Sequence, residues 1–195
     1  MKTCLPLILS LLFASQAFAG QPDTITNAPS GEYSIIQHDV STSECGACFD
    51  TVLHFHDKSK PDVNLTLTEG EFTDFAYRAF ARYFISPDDR WILRIQHLGG
   101  GTNEAFLYSV APNGRVRRRE ISNPVFDRIG KSLHRSINGR TQIELASWDI
   151  PSGSVHLEAS YEPLKNGVQQ PWLNFNVTYN LKNTKVVVTK EVDEN

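Results

Sequence analysis

The sequence predicts an α+β fold, mainly antiparallel β-sheet in hairpins and meanders, with two covering helices at about 69–83 and 124–137. Three observations predict it. Apolar residues alternate with polar ones along most of the chain, the period of a half-buried strand. Two stretches break that rhythm and repeat every three to four residues, the period of an amphipathic helix. The links between predicted strands are short and turn-rich, which favours antiparallel pairing because a parallel pair needs a long crossover.

The chain opens with an export pattern. Lys2 precedes the apolar run Leu5–Phe13, and Ala17-Phe18-Ala19 places small residues where signal peptidase reads them. The apolar run is shorter than the roughly 20 residues needed to span a bilayer. Cys4 precedes the run, so no acylated cysteine is expected. Residues 1–19 are therefore read as a cleavable signal peptide, 20–31 as an extended lead-in and 32–192 as one β-rich α+β domain. The expected location is the periplasm or the exterior. Cleavage removes Lys2, so the 19 Lys and Arg become 18 against 22 Asp and Glu. Such a balance argues against general nucleic-acid binding, which needs a basic surface. No later apolar stretch reads as a transmembrane segment.

Within the domain, Tyr33–His38, Phe49–His56 and Val63–Leu67 carry β-branched and aromatic residues at strand spacing. Thr68-Glu69-Gly70-Glu71 matches a capping box, in which hydroxyl and carboxylate satisfy free N–H groups at a helix start. Phe72, Phe75, Ala76, Ala79, Phe80 and Tyr83 then form one helical stripe. A second block follows the same order. Trp91–His97, Ala105–Val110 and Arg115–Ile121 are strands, and Pro112-Asn113-Gly114 is a hairpin turn. Ser122-Asn123-Pro124 starts the second helix, because proline at the first helical position loses no hydrogen bond. Val125, Phe126, Ile129, Leu133 and Ile137 are its stripe, and Asn138-Gly139 its expected stop. Four strands close the chain: Thr141–Trp148, Val155–Tyr161, Leu173–Tyr179 and Lys185–Glu191. The two helix starts lie roughly 55 residues apart, a repeat-like spacing.

Ile85-Ser86-Pro87-Asp88-Asp89-Arg90-Trp91-Ile92-Leu93, with Glu104-Ala105-Phe106-Leu107-Tyr108, resembles the Ser-Pro-Asp-Gly strand entry of TolB-like and WD40-like propeller blades. Asp89 occupies the place of the glycine. A closed propeller needs at least four blades, and the chain offers about three units. A wider resemblance is to uncharacterised secreted bacterial proteins that share a Ser-Pro-Asp-x-Arg-Trp strand start and a late Tyr179-Asn180-Leu181-Lys182 strand end. That resemblance implies the same fold and export, and it brings no catalytic residues.

Three sets of residues are candidate sites. Cys45 and Cys48 form a Cys-x-x-Cys pair, which in an oxidising compartment reads as a local disulfide. The same spacing serves thiol-disulfide exchange when the first sulfur leads a helix, but strand-like alternation follows here. Phe49 replaces the histidine that haem attachment would need. His54 and His56 share a strand face, and His38 joins them if the first two strands pair in a suitable register. Three imidazoles could hold zinc with one position open. Arg115, Arg117 and Arg119 share a face that could receive an anion, since guanidinium matches phosphate and carboxylate bidentately. Trp91, Trp148 and Trp172 read as packing residues. Gly99-Gly100-Gly101 is a hairpin turn and not a phosphate loop, because neither Lys-Ser nor Lys-Thr follows.

Serine-hydrolase elbows, zinc-protease motifs and calcium loops are absent from the sequence. The expected function is a non-catalytic binding module for a protein, peptide or envelope component, with no cofactor. One alternative is a metal-binding protein or small metal-dependent hydrolase using His38, His54 and His56. The other is a periplasmic thiol-disulfide protein using Cys45 and Cys48.

Overall fold

In the computed structural model the described residues are 22–41, 48–65 and 80–190. They build three antiparallel meanders, one after another. β1 (Thr24–Asn27), β2 (Tyr33–Asp39), β3 (Phe49–Phe55) and β4 (Val63–Asn64) form the first. β5 (Ala81–Ile85), β6 (Trp91–Gly99), β7 (Thr102–Val110) and β8 (Val116–Glu120) form the second. After α1 (Ser122–Ser132) comes the third, in which β9 (Gly139–Asp149), β10 (Ser154–Lys165), β12 (Leu173–Asn180) and β13 (Val186–Lys190) lie side by side. β11 (Val168–Gln169) extends the end of β10 as a small hairpin.

The second sheet lies between the other two. Its alternation sends Ile92, Phe106, Tyr108, Ala81 and Tyr83 to one face, where they pack on Tyr33, Ile35, Leu53 and Phe55 of the first sheet. Leu93, Ile95, Ala105 and Leu107 go to the other face and meet Val155, Leu157, Tyr161, Phe175 and Val177 of the third sheet. The stripe Ile121, Val125, Phe126 and Ile129 joins α1 to that same core. Double burial explains the near-continuous apolar runs of β6 and β7, since neither face meets water.

Polar side chains fasten the layers. Arg94 is fully buried in the middle sheet, donates to the Leu65 carbonyl at 3.1 Å and lies over the rings of Tyr83 and Phe106. It also donates to Gln96 Oε1. The Tyr108 hydroxyl donates to that same Leu65 carbonyl at 3.2 Å. On the other face, buried Asn103 accepts from Ile143 N at 2.7 Å and donates back to Ile143 O at 3.1 Å. Arg82 pairs with Glu144 across the same interface. A buried polar group without a partner costs about 1–3 kcal/mol, so these bonds discriminate against any other stacking.

Several expectations need correction. The lead-in supplies a strand: Thr24–Asn27 pairs with β2 from Thr24↔Gln37 to Asn27↔Ser34. The predicted helix at 69–83 ends wrongly. Ala81, Arg82 and Tyr83 belong to β5, where Ala81 and Tyr83 face the core and Arg82 turns the other way to Glu144. Residues 69–79 of that helix lie outside the described residues. The second helix stops at Ser132, short of 137, because His134 takes a left-handed φ of 52° and the Arg135 amide donates to Gly130 O. Leu133 and Ile137 still pack against the core beyond the helix end.

Gly139 opens β9 opposite Pro163, and a Cβ there would lie 2.0 Å from the Glu162 carbonyl oxygen. Gly31, at φ 75°, has open space around it. Gly139→Ala is expected to cost about 2–4 kcal/mol and Gly31→Ala about 1–2 kcal/mol. Urea unfolding measures both as shifts in midpoint at unchanged slope.

Candidate functional site

The register of the first sheet decides the fate of the histidines. Ser34 faces His54, whereas His38 faces Asp50. His38 therefore lies four residues along from the level of His54, about 13 Å at strand rise. Each ring has its own local partner. His38 Nδ1 is 2.9 Å from Asp23, and His54 Nδ1 is 3.0 Å from Asp62. His54 and His56 are neighbours, with ring centroids 5.8 Å apart. The three do not converge, and among the described residues no group of three or more His, Cys, Asp or Glu could hold a metal ion. Sharing a face is necessary for a zinc site but does not bring residues at different levels into one coordination sphere.

His56 makes a contact that sequence reasoning missed. Its Nδ1 lies 2.6 Å from the Gly31 carbonyl and its Nε2 3.0 Å from Ser34 Oγ. A carbonyl only accepts, so Nδ1 carries a proton toward Gly31 O. Ser34 Oγ is also 2.8 Å from Asn27 Oδ1. Ser34 beside His56 is a nucleophile–base geometry. Ser34 is 5 % exposed, however, so a substrate carbonyl has no path to its oxygen. The advance signal was parity alone, which puts Ser34 and His56 on the sheet face turned away from Tyr33, Ile35, Leu53 and Phe55.

The arginine row divides as alternation requires. Arg115, Arg117 and Arg119 are exposed, while Arg118 turns inward over the Phe106 ring at 5.1 Å. Cys48 is fully buried, and Cys45 lies outside the described residues. Trp91 and Trp148 pack against the larger core, and Trp172 is partly buried. Gly99 to Gly101 carry the turn between β6 and β7.

The Ser-Pro-Asp-Asp segment is a clamped turn. Ser86 Oγ donates to Asp88 Oδ1 at 2.7 Å and accepts from Trp91 N at 3.0 Å. Asp89 takes a φ of 58°, a conformation usual for glycine. Two contacts hold it there. Asp89 Oδ2 accepts from Ser30 N at 3.0 Å, and its carbonyl accepts from the Tyr33 hydroxyl at 2.9 Å. Burial first, and the nearby Asp89 carboxylate second, push the Tyr33 phenol well above its ordinary range.

A cleft of about 900 Å³ lies between α1, the start of β7 and the segment leading into β9. Asn103 and Ser122 line its buried part, already bonded to Ile143 and to Ala105 N. Asp127, Lys131, His134 and Arg135 line it as exposed groups. No single sequence motif marks this cleft, because its lining is drawn from residues 102–104 and from positions spread over 122–141.

Compared with protein-family models, curated proteins and solved structures, the chain matches none. Its function must therefore be argued from its own geometry.

Glu120 sits at the α1 start, where its Oε1 accepts from Asn123 N at 2.9 Å. Burial raises its carboxyl above the ordinary 4.5, with the Glu104 carboxylate adding and the Ser122 and Asn123 donors opposing. A raised folded-state value means the fold holds this proton more tightly than the unfolded chain does. Its contribution is therefore present at acid pH and is lost as pH rises through the folded value. Glu120→Gln is expected to flatten the fall in stability between the ordinary value and neutrality. Urea midpoints measured across that range check it.

Proposed function

We propose that the chain is an exported, non-catalytic binding module that contacts an envelope component at the end of the molecule carrying α1 and the β10–β11 hairpin. The observation that carries this reading is the division of labour among polar side chains. The buried ones, Arg94, Gln96, Asn103, Gln37 and Ser122, are engaged in bonds that fasten sheets or the helix. Of the ionisable ones lining the cleft beside α1, Asp127, Lys131, His134 and Arg135 stand exposed at its surface and Glu104 is half-buried. Catalysis wants the reverse, reactive groups held in a water-excluded site. Export rests on the signal pattern of residues 1–19. Among the described residues no helix is long and apolar enough to cross a membrane.

The full burial of Cys48 supports a structural Cys45–Cys48 disulfide over an exchange site, because exchange needs an accessible sulfur. Zinc bound by His38, His54 and His56 lacks support, since the register separates His38 from the other two. The exposed Arg115, Arg117 and Arg119 face suits a charged strand at a sheet edge, which also blocks edge-to-edge aggregation.

Two measurements test this reading. The processed protein is expected to co-sediment with isolated bacterial envelopes and to resist a fluorophosphonate probe. Labelling that Ser34→Ala abolishes would show the Ser34–His56 pair to be catalytic and overturn the reading. Alkylation is expected to add no mass before reduction and two adducts after it. Adducts on the unreduced protein would remove the disulfide.

A further inference from the structure

The β10–β11 hairpin projects past the strands that flank β10. β12 pairs with β10 as far as Tyr161 and β9 as far as Pro163; the Leu164 amide still donates to Asn138 O at 3.1 Å, and from Lys165 onward the hairpin has β11 as its strand partner. Asn166 and Gly167, with φ of 54° and 78°, form the two-residue turn. Leu164 faces Gln169, and Lys165 faces Val168. Consecutive pairs point to opposite faces, so the tip carries an aliphatic side chain on each face. Leu164 is 42 % exposed and Val168 62 % exposed.

The charge around the tip has one sign. Residues 163–173 contain Lys165 and neither Asp nor Glu. The groove at the hairpin's foot, about 600 Å³, is lined by Arg135, Lys165, Pro163, Leu164, Pro171 and Leu173. The nearest acid in sequence, Glu162, is buried and lies 3.5 Å from Arg140. Trp172 stands partly buried where the hairpin returns to β12.

We propose that this hairpin tip inserts into an anionic lipid surface, a step that rests on the binding-module reading and names its envelope component. A flat protein partner would cover one face of the ribbon and leave the other aliphatic group in water. The headgroup region of a bilayer surrounds the tip and takes up both. Lys165 can extend its ammonium to the phosphates while its stem stays among apolar groups. Arg135 adds a second cation beside the tip, and an aromatic residue at the foot suits the interface. The rest of the protein is net acidic, so attachment depends on this end pointing at the membrane.

The test is sedimentation of the processed protein with vesicles, together with tryptophan emission. Vesicles of phosphatidylcholine and phosphatidylglycerol in equal parts are expected to bind it, and pure phosphatidylcholine is not. Added salt is expected to weaken binding. Emission should shift to the blue through Trp172, since Trp91 and Trp148 already pack on the core. Val168→Asp and Lys165→Glu should each lower partitioning about tenfold. Val187→Asp, at a 47 % exposed position on β13, should leave it unchanged. No partitioning into the mixed vesicles, or an equal loss in Val187→Asp, would overturn the proposal. If isolated envelopes still bind the protein while mixed vesicles do not, lipid is excluded and the binding-module reading stands.

Discussion

Burial of the middle sheet on both faces is the constraint on which the rest of the molecule depends. A sheet flanked by water on one side tolerates polar residues at every second position. The sheet from β5 to β8 has no such freedom along β6 and β7, where neighbours from Ile92 to Gln96 and from Ala105 to Tyr108 are all buried. Each flanking sheet then needs only one apolar face. That is why Tyr33, Ile35, Leu53 and Phe55 alternate with polar groups in the first, and Val155, Leu157, Ala159 and Tyr161 in the third. Apolar burial at about 25 cal/mol per Å² supplies the drive, but it is not directional. Directionality comes from the polar fasteners. Leu65 O receives both Arg94 and Tyr108, and Asn103 exchanges two bonds with Ile143.

Those fasteners bear on function by elimination. Arg94 beside Gln96, or Asn103 under a cleft, has the appearance of machinery when viewed alone. Each is instead already bonded to another layer, and displacing it would uncover buried donors and acceptors. Among the described residues, groups available to a partner include the helix with Lys131, His134 and Arg135, the hairpin with Leu164, Lys165 and Val168, and the row Arg115, Arg117 and Arg119. Rigid layers with accessible ends suit recognition, because the contacting groups are presented by a frame that changes little when they engage.

Much of the sheet was legible in the sequence, because alternation and turn residues act locally. The longer strands from Trp91 onward and the Pro112-Asn113-Gly114 turn follow directly from them, while the two-residue β11 was not read. Two of the misreadings share one physical cause: tertiary pairing overrode a local pattern. Ala81 and Tyr83 fit a helical stripe as well as a strand face, and pairing with β6 decided for strand. Thr24–Asn27 is too polar and short to announce itself, and only its ladder with β2 makes it a strand. The long apolar runs of β6 and β7 were visible, but a run by itself does not say that a sheet lies on each side. The candidate site was less legible still. Shared faces follow from parity, so the Arg115, Arg117 and Arg119 row was foreseeable. Level along the strand depends on register, which separates His38 from His54 and brings Ser34 to His56.

Native-state hydrogen exchange tests the layered account most directly. With the second sheet enclosed by the other two, the amides of Leu93, Ile95, Ala105 and Leu107 should exchange only through global unfolding. Those of β1 and β13, at sheet edges, should exchange by local opening at much lower free energy. Exchange in β6 and β7 as fast as in β1 and β13 would mean that the middle sheet is not enclosed, and the stack described above would be wrong.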